Sequence, residues 1–517
     1  MYRTNSIAGL ASSPVHALGQ CALFIVVALA AAAVALACSC AQQWLAERNV
    51  APIGSFFAGR TGMLVVWAVM FAAWLPCLLA YWPGSFAYDI PTQTDYIVNG
   101  AWTTQQPPLH TLIWALFLNL EGVLGLRAIT WYELFQMAFL SWSFAYTLHY
   151  LAQQNTSRIL WIIAGVFFTL NPVIALFSIT PVKDTLLAGT LCLLLVGVAQ
   201  LISDQEAFIA SKPRCVGLGA CVVACCLLRA NMLVALALFA VIFVAISRGK
   251  RLAALAVFGI PLLLTAVIVG PGYSLAGITP GSSAIASVPF QQVVNVVRNH
   301  EGELSEEELE CVDAILPVDT AVERYNPRFA DSVVRLFKGK ETGTAALREE
   351  LADLARLWLS WIVRYPTDCI DAFLSLNIPY WYPFAATPDP YSQRAYIETD
   401  IWKTTDSYDV ELDSKAPLLH DAYEAVADYS ALDNPVTNAL FSPASVIWVI
   451  VLATYLLYCS GSRKRALLCL LPLLFWLSFM IGPVSNMRYV FPLFCLYPLL
   501  ACAALQPARM FSGRSSA

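Results

Sequence analysis

Eleven stretches of about 15–25 residues almost free of charge run through the chain, at 17–41, 62–82, 128–151, 159–179, 185–202, 215–229, 231–247, 252–271, 443–460, 466–482 and 489–505. A helix of about 20 apolar residues crosses the ~30 Å hydrocarbon layer of a bilayer. Such a series predicts an all-α polytopic membrane protein with about 11 transmembrane helices. Composition agrees: 59% of the 517 residues are hydrophobic and 13% charged, where a soluble domain carries about 25% charged residues. A cytosolic enzyme, a disordered chain and a nucleic-acid binder are excluded together. The first stretch is Ala-rich and has no well-placed small-residue cleavage site, so it is read as a retained span and not a signal peptide.

Charge divides the chain into parts. Residues 273–440 hold 12 Lys/Arg and 27 Asp/Glu, the remainder 18 and 8. The organisation expected is therefore an N-terminal span and cytoplasmic loop over 1–61, a transmembrane core over 62–272, an acidic insert over 273–440, and C-terminal spans with a short cytoplasmic tail over 441–517. The insert reads as mainly helical. Ser305-Glu-Glu-Glu308 is a capping box opening a helix to about Leu316. Residues 344–364 alternate apolar and charged positions at helical spacing, end near Pro366 and are followed by 368–377. Its acidic residues suit a solvated face. Trp381, Tyr382 and Tyr391 offer a weaker candidate platform for a sugar acceptor.

Orientation turns on Leu109–Leu120, which is apolar but only twelve residues long. As a helix it rises about 18 Å, too short to cross, and is read as juxtamembrane or re-entrant. With that segment uncounted, Arg48, Arg60, Arg158, Lys212, Arg214, Arg248, Lys250, Arg251, Arg463, Lys464, Arg465, Arg509 and Arg514 share one side. Basic residues favour the cytoplasmic side. The N-terminus, the first loop 83–127 and the insert are then expected outside, and the C-terminus inside.

Isolated polar residues collect at the outer ends of the spans. They are Lys183 and Asp184 in Thr180-Pro-Val-Lys-Asp-Thr185, Arg229 between two short spans, Arg488 in Ser485-Asn-Met-Arg-Tyr489, and Glu133 about a turn inside the third span. Singly, each suits a helix end whose side chain snorkels to the interface. As a set, they suit a shared water-filled cavity, because charges at membrane depth need partners. The loop 81–111 adds Asp89, Asp95, His110, Tyr88, Tyr96 and Trp102, between the turns at Pro83-Gly84 and Pro107-Pro108. A solvated connector and a site for a half-lipid substrate both fit that loop.

Three short motifs stand in order: Pro-Gly-x-x-x-Tyr-Asp at Pro83–Asp89, Pro289-Phe-Gln-Gln292, and Asn486-Met-Arg-Tyr489. With the Gln/Pro-Pro-Leu-His stretch at 106–110 and the later Lys183-Asp184, the chain resembles GT-C membrane glycosyltransferases of the protein-O-mannosyltransferase and aminoarabinose-transferase type, closest to an uncharacterised bacterial branch. The resemblance implies a GT-C-like fold and an inverting hexosyl- or pentosyltransferase. It would move a sugar from a polyprenyl-phosphate donor to a glycan, glycolipid or protein acceptor at the outer face of the plasma membrane. Asp89 and Asp95 become the catalytic candidates. Lys183, Arg229 and Arg488 become the donor-phosphate ligands, and His110, Asp184, Glu133 and Tyr88 further cavity residues. The better-known relatives carry Asp-Glu in this loop, whereas Ile90 follows Asp89 here, so the partner carboxylate is Asp95 or absent. No metal cofactor is required, and an Asp89/Asp95 metal site stays open. The rival from another class, a flippase for a lipid-linked sugar or polymer, predicts broken helices and inverted repeats; neither is visible in the sequence. A third reading, an acidic assembly scaffold, leaves the first-loop motif unexplained.

Of fifteen cysteines, thirteen lie in apolar stretches and behave as small hydrophobes. Cys311 and Cys369 belong to the insert. Outside the membrane they can persist as a disulfide closing a loop of about 58 residues, worth on the order of 4 kcal/mol, or stand as unrelated thiols.

Overall fold

The computed structural model describes residues 14–48, 50–247, 250–281, 286–338, 344–385, 396–399, 408–461 and 463–510. Regular structure among them is helical, with isolated β-bridges and no strand. All eleven charge-poor stretches are occupied by helices. Five helices are long and apolar enough to cross a membrane: Ile25–Glu47, Arg60–Ala80, Lys183–Ser203, Arg251–Leu275 and Lys464–Ile481. Three bent pairs raise the number to eight if each is one span: Arg158–Leu170 with Pro172–Ile179 at 46°, Pro435–Phe441 with Ser445–Cys459 at 71°, and Met487–Phe494 with Tyr497–Leu505 at 41°. This is a multi-pass membrane protein. Ala128–Gln153 is long but carries Gln, Ser, Tyr and His side chains and Glu133, while Lys212–Leu228 and Asn231–Ile246 are short.

The bends correct the impression that the helices are unbroken. Asn171 ends one helix and caps the next by accepting from Val173 N at 3.0 Å, while Pro172, with no N–H to offer, starts that next helix. Pro498 starts the Tyr497–Leu505 segment in the same way.

The Lys183–Ser203 helix is the central one. Burial covers 78% of its apolar window, against 28% for Arg60–Ala80 and none for Ile25–Glu47. It packs against the 128–153, 212–228, 464–478 and 487–494 helices. The outward side chains of the peripheral helices, such as Ile25, Leu29, Val69, Val241, Leu252 and Leu263, are apolar and exposed. Lipid is the solvent that suits them.

The acidic insert is not one body. Residues 286–377 close a small core of their own around Phe290, Val293, Val297, Val312, Ile315 and Trp361. The later part joins the membrane core through Tyr396, Ile397, Val426 and Tyr429, while Tyr408 and Val410 pack on Phe86 and Trp114 of the first loop. The boundary at 272/273 also moves, since the membrane helix continues to Leu275. Cys311 and Cys369 are both free thiols; Cys369 is buried with its Sγ on the Trp361 carbonyl at 3.8 Å.

Candidate functional site

The first loop folds into two short helices, Ile90–Asn99 and Pro108–Leu118. Pro91 and Pro108 supply the fixed φ that favours a first helical turn. Asp89 is left at the N-cap of the first, with its side chain making no capping bond. It turns instead toward the ends of three helices of the bundle. Lys183 and Asp184 begin the central helix, Arg229 ends Lys212–Leu228, and Arg488 lies in the first turn of Met487–Phe494. Asn486 accepts from Arg488 N at 2.6 Å and so starts that last helix.

These five side chains form one connected ion cluster. Asp89 Oδ2 accepts from Lys183 Nζ at 3.1 Å and from Arg488 Nη2 at 2.6 Å. Asp184 Oδ2 accepts from Arg488 Nε at 2.9 Å, and its Oδ1 from Arg229 Nη1. Lys183 also donates to Gln106 Oε1 at 2.9 Å. The guanidinium of Arg229 stands over the rings of Tyr489 at 4.3 Å and Phe479 at 5.0 Å; that of Arg488 stands over Tyr88 at 4.8 Å. Three cations against two carboxylates leave one positive charge in excess.

Exposure grades the cluster. Asp184 is 0% exposed and Arg488 6%, while Asp89, Lys183 and Arg229 keep 13–15% of their side-chain surface. Asp89, Lys183 and Arg229 therefore share the more open edge, with Asp184 as the inner counter-ion. Burial pushes the Asp89 carboxyl up, but the Arg488 and Lys183 charges outweigh it and hold the group well below the usual carboxylate range.

Tyr88 takes φ +55°, an uncommon backbone for a residue with a bulky side chain. Its ring covers Arg488, and its hydroxyl accepts from Glu398 N at 2.8 Å. More of the later insert clasps the same loop: Ser85 Oγ donates to Thr399 O at 3.0 Å, and Asp413 N to Trp82 O at 2.8 Å. On the other side, Ala330 N donates to Pro483 O at 2.8 Å and Ser485 Oγ to Leu376 O at 2.8 Å. The turn that presents Arg488 is thus held by Ala330 and Leu376, and the loop that presents Asp89 by Glu398, Thr399 and Asp413.

His110 is fully buried beneath the cluster, with Nδ1 2.8 Å from Gln93 Oε1 and Nε2 2.7 Å from Tyr132 Oη. A neutral imidazole has one N–H to donate and one lone pair to accept with, and these two partners satisfy both. Burial first, and the Lys183 charge next, push its pKa down to about 3. The network continues through Gln136, whose Nε2 donates to the carbonyls of Ser178 at 2.9 Å and Thr180 at 2.8 Å, just before Lys183.

Two sequence candidates are not brought into the cluster. Asp95, on the 90–99 helix, makes no hydrogen bond or ion pair among the described residues. Glu133 is fully buried and accepts from Ser85 N at 2.6 Å; its Oε2 has no partner among the described residues. Gly84, at φ +148°, comes so close that a Cβ there would sit 2.9 Å from the Glu133 carboxylate. Among the described residues no three His, Cys, Asp or Glu side chains gather as metal ligands. Gln106, Gln93, Tyr132 and Gln136 were missed, although 106–110 was already a marked stretch. The Pro-x-Gln-Gln motif ties the Ser287–His300 helix to its neighbours: Gln292 Nε2 donates to Cys369 O at 2.9 Å and Gln291 Nε2 to Asn326 O at 2.8 Å. Of the weaker acceptor platform, Trp381 and Tyr382 stand in the turn after Ile378–Tyr380, and Tyr391 lies outside the described residues.

Fold and site together define a multi-pass helical membrane protein with a charged cluster at helix ends, contacted by parts of the acidic insert. The chain belongs to the DUF6020 family, a family of unknown function whose model matches residues 11–515. No curated protein and no solved structure matches it.

Proposed function

We propose that the protein is an inverting membrane glycosyltransferase with a GT-C-like arrangement of eleven spans. It transfers a sugar from a polyprenyl-phosphate donor to a cell-envelope acceptor on the outer face of the plasma membrane. In that orientation the first loop and the insert lie outside and the C-terminus is cytoplasmic. The observation that carries this is the meeting of Asp89 with Lys183 and Arg488: a partly exposed carboxylate beside two phosphate-competent cations, at the ends of apolar helices. The excess of one positive charge suits a phosphodiester, which carries a single negative charge.

In the reaction the acceptor oxygen attacks the anomeric carbon and its proton passes to Asp89. The bond from that carbon to the phosphate oxygen breaks, and the lipid phosphate leaves with the electron pair. Positioned proton transfer contributes about 10²–10⁴-fold. Arg488 and Lys183 stabilise the leaving phosphate, at roughly 3–4 kcal/mol for a key donor in a preorganised site. Arg229 acts behind Asp184 and keeps Arg488 aimed. His110 holds the two loop helices to the bundle.

Purified protein supplied with a labelled polyprenyl-phosphate sugar and envelope acceptor extract should form a covalent product. Asp89→Asn should lower the rate at least about 10²-fold. Near wild-type transfer by that variant would remove Asp89 from the chemistry. The three bent helix pairs favour a second reading, a flippase, which would move the lipid-linked sugar with no covalent product. Against it, the charged cluster gathers at helix ends, two turns short of the break after Phe494.

A further inference from the structure

Asp89 and a phosphodiester offer Lys183 and Arg488 the same thing: one negative charge carried on oxygen acceptors. The two carboxylates of the cluster differ in how firmly they are placed. Asp184 is 0% exposed, sits in the first turn of the central helix, and engages Arg488 and Arg229 with separate oxygens. Asp89 is 15% exposed, stands on a loop, and gives both cations the same oxygen, Oδ2. Its Oδ1 has no partner among the described residues. The residue before it, Tyr88, holds the uncommon φ of +55°, so the local backbone has a lower-strain alternative available when the contacts change. Turning Asp89 out would leave Lys183, Arg229 and Arg488 facing Asp184 alone, a site with two positive charges in excess.

Resting on the glycosyltransferase reading, we propose that Asp89 occupies the seat of the donor phosphate as an internal stand-in. A monoanionic phosphodiester exchanges with it between Lys183 and Arg488, and the exchange turns the carboxylate toward the acceptor. Asp184 stays and is the positioning residue. While Oδ2 is held between the two cations the carboxylate is a poor base, so donor binding precedes acceptor activation. Removing the stand-in then has a counter-intuitive result: a variant poor in transfer binds the donor phosphate better.

The test is equilibrium binding of farnesyl methyl phosphate, a phosphodiester with a prenyl chain and no sugar, to the full-length protein in detergent. Asp89→Asn should bind it about tenfold tighter or more than wild type, the worth of one charge-assisted contact no longer displaced. Asp95→Asn removes the same charge from the same loop without touching a cation, and should match wild type. Equal or weaker binding by Asp89→Asn, or equal tightening in both variants, overturns the exchange while leaving the phosphate clamp standing. No binding by any of the three proteins overturns the clamp itself, and the exchange with it. Wild-type protein gives an independent readout that needs no variant to fold. Saturating probe should raise deuterium uptake at the backbone amides of 88–93, and protection there would overturn the proposal.

Discussion

Asp184 faces two guanidinium groups with none of its side chain exposed, so removing it leaves Arg229 and Arg488 as buried charges short of a partner. Breaking one side of a buried pair costs about 3–5 kcal/mol, far more than losing a surface pair. Asp184→Ala is therefore expected to lower stability by about that amount in denaturant unfolding of the detergent-solubilised protein; a loss under 1 kcal/mol would mean that the cluster is solvated. His110 makes a different prediction, through pH. Its folded pKa of about 3 lies below the ordinary value near 6.5, so between the two the unfolded chain binds a proton that the folded chain does not. Stability should be full above pH ~6.5 and fall as pH drops toward about 3. Thermal unfolding followed across that window should show the slope in wild type and a flatter one in His110→Gln. Asp89 adds a loss of its own only at lower pH: its folded pKa is depressed, so its contribution is present above the ordinary carboxylate range and fades as pH falls below it.

At the scale of elements, the 286–377 region is stabilised by a few well-placed side chains. The capping box at Ser305 and Glu308 opens the Glu306–Ile315 helix as its sequence predicts. Glu308 then does more than cap, since Oε1 accepts from Trp361 Nε1 at 3.1 Å and from Arg364 Nη1 at 3.1 Å. Trp361 is wholly buried and joins the Thr344–Arg364 helix to that core. Truncating it to Ala should cost about 3–5 kcal/mol. Hydrogen exchange should report the loosening in 286–377 and leave the central 183–203 helix protected. If the membrane helices loosened equally, the core around Trp361 would not be the separate unit that its packing describes. The turn at Pro483–Ser485 links the two, so the presentation of Arg488 depends on that small core.

For the whole molecule the orientation proposed above has a direct check. A single cysteine at Gly302, whose Cβ would meet open space, should react with a membrane-impermeant thiol reagent on intact cells. One in place of the exposed Arg158 should stay unlabelled until the membrane is opened. The reverse pattern would put the ion cluster on the cytoplasmic face and remove the outer-face donor. Much of this architecture was legible along the chain, because a helix long enough to cross lipid is a local property of about 20 consecutive residues. The same holds for the short Pro108–Leu118 helix, opened by Pro107-Pro108 and followed by Glu121-Gly122, and for the capping box. The candidates Asp89, Lys183, Asp184, Arg229 and Arg488 could also be chosen locally, since a charge beside an apolar helix needs a reason. Their pairing could not: Arg488 and Asp89 are 399 positions apart, and nearly uniform apolar helices carry no polar face to say which side turns inward. Nor did composition separate Asp89 from Asp95, which share a loop and differ in what lies across from them. The clasp of Glu398, Thr399 and Asp413 over that loop escaped for the same reason, because its contacts are made through scattered backbone groups that leave no periodic pattern. Chain-local physics determined the helices and supplied the charges; only the packing of the helix ends decided which charges meet, because the energy of an ion pair depends on distance and burial, and neither is a property of sequence order.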